Sequence, residues 1–144
     1  MEQTREPLVQ TNRQGMELAL AQARLALEEG EVPVGAIVVD EMGRILAQAH
    51  NVTGAQEDPM AHGELLALQK ALAGRGKARL AGCTLYVTLE PCPMCAGGII
   101  NARIGTVRYG AKDDKAGACG SVLNLFEERF NHRPRLYRGP MEAE

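Results

Sequence analysis

Two short motifs in the chain contain side chains that can hold a metal ion and move a proton. The first motif is His62-Gly63-Glu64, and the second is Pro91-Cys92-Pro93-Met94-Cys95. Imidazole and thiolate are preferred ligands of zinc, and a carboxylate that is not a ligand can serve as a general acid and base. These residue types therefore point to metal-assisted chemistry on a water molecule.

The spacing within the motifs indicates how the backbone has to present them. Cys92 and Cys95 are three residues apart, so in the first turn of a helix both sulfurs point to one side. The positive end of a helix favours thiolates, and proline at position 93 suits a first helical turn. His62 and Glu64 lie roughly 200° apart around a regular helix, so they can share a site only at a helix start. Two facing helix starts would thus form a zinc site with three ligands and an open position for water.

The hydrophobic pattern of the chain supplies such helix starts. It predicts helices over 12–30, 61–74 and 92–103, a short helical segment over 123–128, and strands over 34–40, 44–49, 84–89, 106–110 and 135–138. The tight link between the first two strands makes them antiparallel neighbours. Strands that then alternate with helices predict a layered α/β/α arrangement, and the length of 144 residues predicts a single domain over 1–144.

The cysteines allow two other interpretations. A Cys-x-x-Cys pair between a strand and a helix is also typical of a redox site, although such a site has no companion His-x-Glu motif. A structural zinc site needs a fourth ligand, which Cys83 or Cys119 could supply. Neither belongs to a second Cys-x-x-Cys pair, so we interpret both as buried free thiols. His50 and His132 are interpreted as loop or surface residues rather than ligands.

The distribution of charge is uneven. The net charge is −2, yet residues 1–60 hold ten acidic and four basic residues, whereas 61–144 hold eight acidic and twelve basic ones. The segment 129–138 has four arginines, one histidine and no acid, which fits either a solvated face or a patch that contacts phosphates. Neither a secretory signal nor an apolar run of bilayer length is apparent, which predicts a cytoplasmic protein.

The two motifs resemble the His-x-Glu and Pro-Cys-x-x-Cys signature of zinc nucleobase deaminases. The segments 31–36, 58–59, 88–92, 102–104, 115–121 and 131–133 extend the resemblance over nearly the whole chain, and they are similar to the tRNA-specific adenosine deaminase (TadA) family. The resemblance implies a cytidine deaminase-like fold, which is a three-layer α/β/α sandwich around a mixed five-stranded sheet. It also implies a homodimer that converts adenosine to inosine at the wobble position of a tRNA anticodon.

The resemblance further implies roles for individual residues. His62, Cys92 and Cys95 match the Zn²⁺ ligands of the family, and Glu64 matches its catalytic proton shuttle. Three more residues match positions that bind the nucleic-acid substrate: Asn51, Asp113 and Lys115. Asparagine can read a purine edge, and loop capping is the alternative role for Asn51.

The chain departs from the family pattern at two points. Gly63 stands where the tRNA deaminases usually have alanine, at a cost of about 0.5–1 kcal/mol in a helix. A His-Gly-Glu triplet also occurs in some free-base cytosine deaminases, so deamination of a small base or nucleoside, such as guanine or cytosine, is the alternative activity. A non-catalytic scaffold that keeps zinc for stability is a further alternative, against which Glu64 argues. Because the chain ends at Glu144, we expect the domain to lack the basic C-terminal helix of the family.

Overall fold

The computed structural model describes residues 8–75, 80–128, 130 and 132–140. The helices are α1 (Asn12–Glu28), α2 (Gly63–Gly74) and α3 (Pro93–Ala102), and the strands are β1 (Gly35–Val39), β2 (Ile45–His50), β3 (Thr84–Leu89), β4 (Thr106–Ala111) and β5 (Arg135–Arg138). The predicted elements are thus confirmed within a few residues, except that the segment predicted over 123–128 is a single 3₁₀ turn, Leu125–Glu127. The expectation of a missing C-terminal helix concerns chain beyond Pro140 and lies outside the described residues.

The strands form one mixed sheet in the order β2-β1-β3-β4-β5. β1 runs antiparallel to both β2 and β3, while β3, β4 and β5 are parallel to one another. This confirms the predicted mixed five-stranded sheet. The carboxyl ends of the parallel strands and the start of β1 consequently lie at the same edge, which we call the site edge. The β1–β2 turn lies at the opposite edge, where Asp40 accepts hydrogen bonds from the amides of Met42 and Arg44, each at 2.9 Å.

Helices cover both faces of the sheet. On one face α1 packs Met16 and Ala19 against Ile37 and Tyr86. On the other face α2 and α3 pack against the sheet in the larger apolar cluster, whose helical members include Ala67, Leu68, Ala96 and Ile99. The three-layer α/β/α sandwich is therefore confirmed. Within the described ranges, no helix has the length and apolar character needed to cross a bilayer.

The approach of α1 to β1 leaves no room for a side chain at Gly35. A Cβ atom there would overlap the carbonyl oxygen of Ala19 and lie 2.5 Å from the amide nitrogen of Ala23. The backbone of the helix therefore rests directly on the first residue of the strand. This contact sets the distance between α1 and the sheet near the site edge.

Candidate active site

The starts of α2 and α3 face each other at the site edge. His62 is the N-cap residue of α2 and Cys92 is the N-cap residue of α3, both with extended backbone conformations. The Sγ atoms of Cys92 and Cys95 each lie 3.6 Å from Nδ1 of His62. The three donor atoms all lie within 4.8 Å of one another. The structure thus brings together the three residues that the sequence singled out as ligands.

The chemistry of these three side chains fits a zinc ion. Cys95 is buried, whereas His62 and Cys92 are half-buried and keep part of their surface exposed. The hydrogen bond from Cys95, opposed by burial, lowers the pKa of the Cys92 thiol to about 5. The same bond, together with burial, raises the pKa of Cys95. One imidazole and a thiol–thiolate pair, poised to lose a proton to a cation, form the donor set of a catalytic zinc site.

Glu64 lies beside this cluster in the first turn of α2. Its side chain is only 4% exposed, and its Oε1 atom has no hydrogen-bond partner among the described residues. Burial raises the pKa of Glu64 to about 7. A buried carboxyl group with one free oxygen and such a pKa can both accept and donate a proton at neutral pH. No other residue of the described chain combines these properties with a place next to the ligand cluster.

Asn51 connects β2 to the start of α2. Its Oδ1 atom accepts a hydrogen bond from the amide of Gly63 at 2.6 Å, and the residue is 6% exposed. The backbone amide of Asn51 donates to the carbonyl of Val34 at 3.1 Å. A Cβ atom on Gly63 would lie 3.1 Å from both the Cα atom of His50 and the carbonyl oxygen of Val34. The glycine at this position, where the family usually has alanine, thus relieves a tight contact between α2 and the end of β2.

Asp113 and Lys115 lie in the loop 113–121, which follows β4 at the site edge. The Asp113 carboxylate accepts hydrogen bonds from the amides of Lys115 and Ala116, at 3.1 and 3.2 Å. Lys115 is exposed, and Asp113 is half-buried. The amide of Ala118 donates to the carbonyl of Pro91 at 2.8 Å, which places the loop directly beside the start of α3.

Glu90 is a buried residue of this region that sequence reasoning missed. It is 1% exposed, and its carboxylate accepts hydrogen bonds from the amides of Asp113, Cys119 and Ser121 at 3.1, 2.9 and 3.0 Å, and from the Ser121 hydroxyl. Burial raises the pKa of Glu90, but these bonds outweigh burial and hold the pKa below its ordinary value. The position of Glu90 in the sequence, directly between a predicted buried strand and the Pro-Cys pair, is the signal that could have identified it.

The remaining cysteines and histidines lie outside the ligand cluster. Cys83 and Cys119 are 1% and 2% exposed free thiols, which confirms their interpretation as packed residues. His50 lies between the side chains of Gln22 and Glu29, each 3.0 Å away, and His132 contacts the backbone carbonyl of Ile104.

The described arginines of the basic segment 129–138 have different partners in the structure. Arg133 donates to the carbonyls of Glu127 and Glu128, so it braces the 3₁₀ turn. Arg135 pairs with Thr106 at the start of β4, at the edge far from the site, whereas Arg138 pairs with Tyr109 nearer the site edge. Residues 129 and 131 lie outside the described residues.

The α/β/α sandwich and the imidazole–thiol–carboxylate cluster at its edge define a deaminase of the cytidine deaminase-like fold. The family profile of MafB19-like deaminases matches residues 11–142. The tRNA-specific adenosine deaminase of Bacillus subtilis is 46% identical over 130 residues, which cover 90% of this chain and 80% of that protein. The chain belongs to the family of tRNA-specific adenosine deaminases, as the resemblance of its motifs predicted.

Two solved structures show how closely the fold is shared. One comes from work on A-to-I editing by tRNA:A34 deaminases at the wobble position of transfer RNA. It matches with a TM-score of 0.87 and 44% identity, over 92% of this chain and 96% of that chain. The other is a guanine deaminase from Bacillus subtilis, with a TM-score of 0.67 and 28% identity over 84% of this chain and 87% of that chain.

Proposed function

We propose that this chain hydrolyses adenosine to inosine at the wobble position of a tRNA anticodon, with a zinc ion as cofactor. The observation that carries the proposal is the free oxygen of buried Glu64 next to the donors of His62, Cys92 and Cys95. The fold of the tRNA:A34 deaminase, matched over nearly the whole chain, supports tRNA as the substrate. We further propose that the protein is a homodimer, as the resemblance of the motifs implies, and that it acts in the cytoplasm, as expected from its sequence.

The three donors would hold the zinc and leave one coordination position open. Cys83 and Cys119, the other candidate ligands, do not belong to the cluster that the described residues form. Three protein ligands are typical of catalytic rather than structural zinc sites. When bound, the metal supplies a Lewis acid that makes water a nucleophile at neutral pH.

Glu64 carries the protons in this proposal. Its free oxygen accepts a proton from the attacking water and passes it to the purine ring nitrogen. It then takes the second proton of that water from the new C6 hydroxyl group and delivers it to the amine that leaves C6. Water and adenosine thereby give inosine and ammonia, with no further reactant. Burial of Glu64 serves this role because it brings the pKa of the carboxyl group near the working pH.

Substrate specificity would depend on the residues around the ligand cluster, which are Asn51, Asp113 and Lys115. Because Oδ1 of Asn51 is engaged by Gly63, its Nδ2 group remains to donate to the target base. The exposed ammonium of Lys115 suits a phosphate, and Asp113 shapes the turn that presents it. A base in a single-stranded loop costs the least to bring into such a pocket.

A deamination assay tests the proposal directly. Purified protein is given an anticodon stem-loop with adenosine at the wobble position and, separately, free adenosine, guanine and cytosine. We expect inosine in the stem-loop and slow or absent turnover of the free compounds. The 28% identity to a guanine deaminase makes guanine the second candidate. Turnover of guanine without any inosine in the stem-loop at low salt would decide for that candidate.

A further inference from the structure

We infer that Glu90 is a positioning residue, which sets the shape of the loop 113–121 for substrate binding. This inference rests on the proposed function, because it assigns the loop's Asp113 and Lys115 to the RNA substrate. Glu90 would act through the loop and would touch neither the substrate nor the ligand cluster. Its loss should therefore weaken substrate binding rather than the chemical step.

The hydrogen bonds of Glu90 join both ends of the loop. Its Oε1 atom accepts from the Asp113 amide and the Ser121 hydroxyl, and its Oε2 atom accepts from the amides of Cys119 and Ser121. The ion pairs that the described residues form do not include Glu90. The loop's own donors therefore stabilise the buried charge, and a buried charge without them would be costly.

The loop also fits closely around the carboxylate. A Cβ atom on Gly117 would overlap the Glu90 carboxyl group and lie 2.5 Å from the carbonyl oxygen of Asp113. The loop backbone can therefore pass the carboxylate at this point only without a side chain. Glycine at position 117 thus permits the close approach of the loop backbone to the Glu90 carboxylate.

Glu90 connects the loop to the start of α3. Its amide donates to the carbonyl of Ala111 at 2.8 Å, and the neighbouring Pro91 accepts from the amide of Ala118 at 2.8 Å. The next residue is Cys92, the N-cap residue of α3. Glu90 thus lies where the end of β4, the loop and the ligand-bearing helix meet. It can therefore position the loop 113–121 relative to the ligand cluster.

The substitution Glu90→Gln tests this role with little change in size. With its NH₂ group at the Oε2 position the new amide faces two backbone amides, and at the Oε1 position it can donate to the Ser121 hydroxyl but leaves the Asp113 amide without its acceptor, so either orientation breaks at least one bond to the loop. We expect KM for the adenosine-containing stem-loop to rise at least about tenfold, since hydrogen bonds to charged groups are among the stronger ones. We expect kcat to stay within about threefold of wild type and zinc content to be unchanged. Hydrogen exchange of the amides in 113–121 should become faster.

Two further variants keep the test decisive. Asp40→Asn is the matched control, because Asp40 also holds a turn through two backbone amides but at the far edge of the sheet. It should leave KM at the wild-type value. Ser121→Ala removes one of the four donors, so it should raise KM less than Glu90→Gln does. If Glu90→Gln does not fold, Ser121→Ala takes its place in the test. A raised KM with unchanged zinc content in Ser121→Ala would then support the inference, and a wild-type KM would overturn it.

Other outcomes would overturn the inference. A lower melting temperature with unchanged KM would give Glu90 a structural role only. A fall in kcat at constant KM would place its effect on the chemical step. Wild-type protein that forms no inosine in the stem-loop would overturn the proposed function and, with it, this inference. An active wild type with an unaffected Glu90→Gln variant would overturn the inference alone.

Discussion

Asn51 accepts a hydrogen bond from the backbone amide of Gly63 at 2.6 Å, so the residue that follows β2 holds the first turn of α2. The N-cap residue His62 makes no capping bond with its own side chain. Its imidazole instead contacts the sulfurs of Cys92 and Cys95. Asn51 thus does the work of an N-cap residue while the residue at that position supplies a ligand.

Substitutions of Asn51 should separate this capping from substrate binding. Asn51→Ala removes the acceptor, and we expect a loss of about 0.5–2 kcal/mol in the free energy of unfolding, as for other N-cap losses. Asn51→Asp keeps an acceptor for Gly63 but has no NH₂ group, so it should be more stable than Asn51→Ala and still show a raised KM for the stem-loop. Denaturant unfolding and steady-state kinetics measure the two effects. An Asn51→Asp variant with wild-type KM would leave Asn51 with the capping role alone.

Metal analysis should assign the ligands. We expect about one zinc per chain in the purified protein, as for a single site with three protein ligands. Cys92→Ala and His62→Ala should each lose most of the metal and all activity. Cys119→Ala is the control, because this buried thiol lies outside the cluster, and it should retain zinc. Full zinc content in Cys92→Ala would contradict the assignment.

Glu64→Gln should separate catalysis from folding. The variant keeps the size of the side chain but cannot carry a proton, so we expect a folded protein with normal zinc content. General acid–base groups typically contribute roughly 10²–10⁴-fold in rate, and Glu64 serves two proton transfers, so the loss in kcat should reach or exceed that range. Single-turnover kinetics with the stem-loop measure it. A rate within about threefold of wild type would exclude Glu64 as the shuttle.

The arginines of β5 should differ in their effect on RNA binding. Arg138 lies nearer the site edge, whereas Arg135 lies at the far edge beside Thr106. We expect Arg138→Ala to weaken stem-loop binding and to reduce the slope of log Kd against log salt by about one, the effect of losing one phosphate contact. Arg135→Ala, the matched control, should change neither. Equal effects of both variants would indicate nonspecific attraction by net charge.

Gly35 should tolerate no side chain. Its Cβ would overlap the backbone of α1 at Ala19 and Ala23, which cannot move without lifting the helix from the sheet. We expect Gly35→Ala to lower the free energy of unfolding by roughly 1–3 kcal/mol, the usual cost of overpacking. Gly74→Ala is the control, because nothing lies within 4 Å of a Cβ there, and the greater helix propensity of alanine should make it neutral or slightly stabilising. Denaturant unfolding of both variants checks the difference.

The sequence was sufficient for the elements and the ligand cluster because both depend on local pattern. The strands 84–89 and 135–138 were predicted with the bounds they have, the first from a run typical of a buried strand and the second from a weaker pattern of four residues. His62 could be placed at a helix start because its spacing to Glu64 allows no shared site within a helix, and Cys92 because Pro93 suits a first helical turn. The strand order was not predicted, since pairing between distant segments leaves no local signal.

The parts that escaped prediction depend on contacts distant in sequence. The bonds of Glu90 reach residues 23 to 31 positions later, and those of Asn51 require α2 to turn back against β2. The segment 129–138 looked uniform in charge, but strand pairing places Arg135 and Arg138 at opposite ends of β5. Tertiary pairing, rather than composition, decides which of these side chains can meet a substrate.

The parallel alignment of β5 with β4 has a practical consequence for protein engineering. Because the two strands run the same way, the last strand of the sheet ends on the side where the ligand cluster opens. The helix α1 begins at the opposite side, since its own last residue leads into the start of β1. A purification tag, fluorophore or fused domain attached after β5 would crowd the approach of a large RNA. The same attachment ahead of α1 would leave that approach clear.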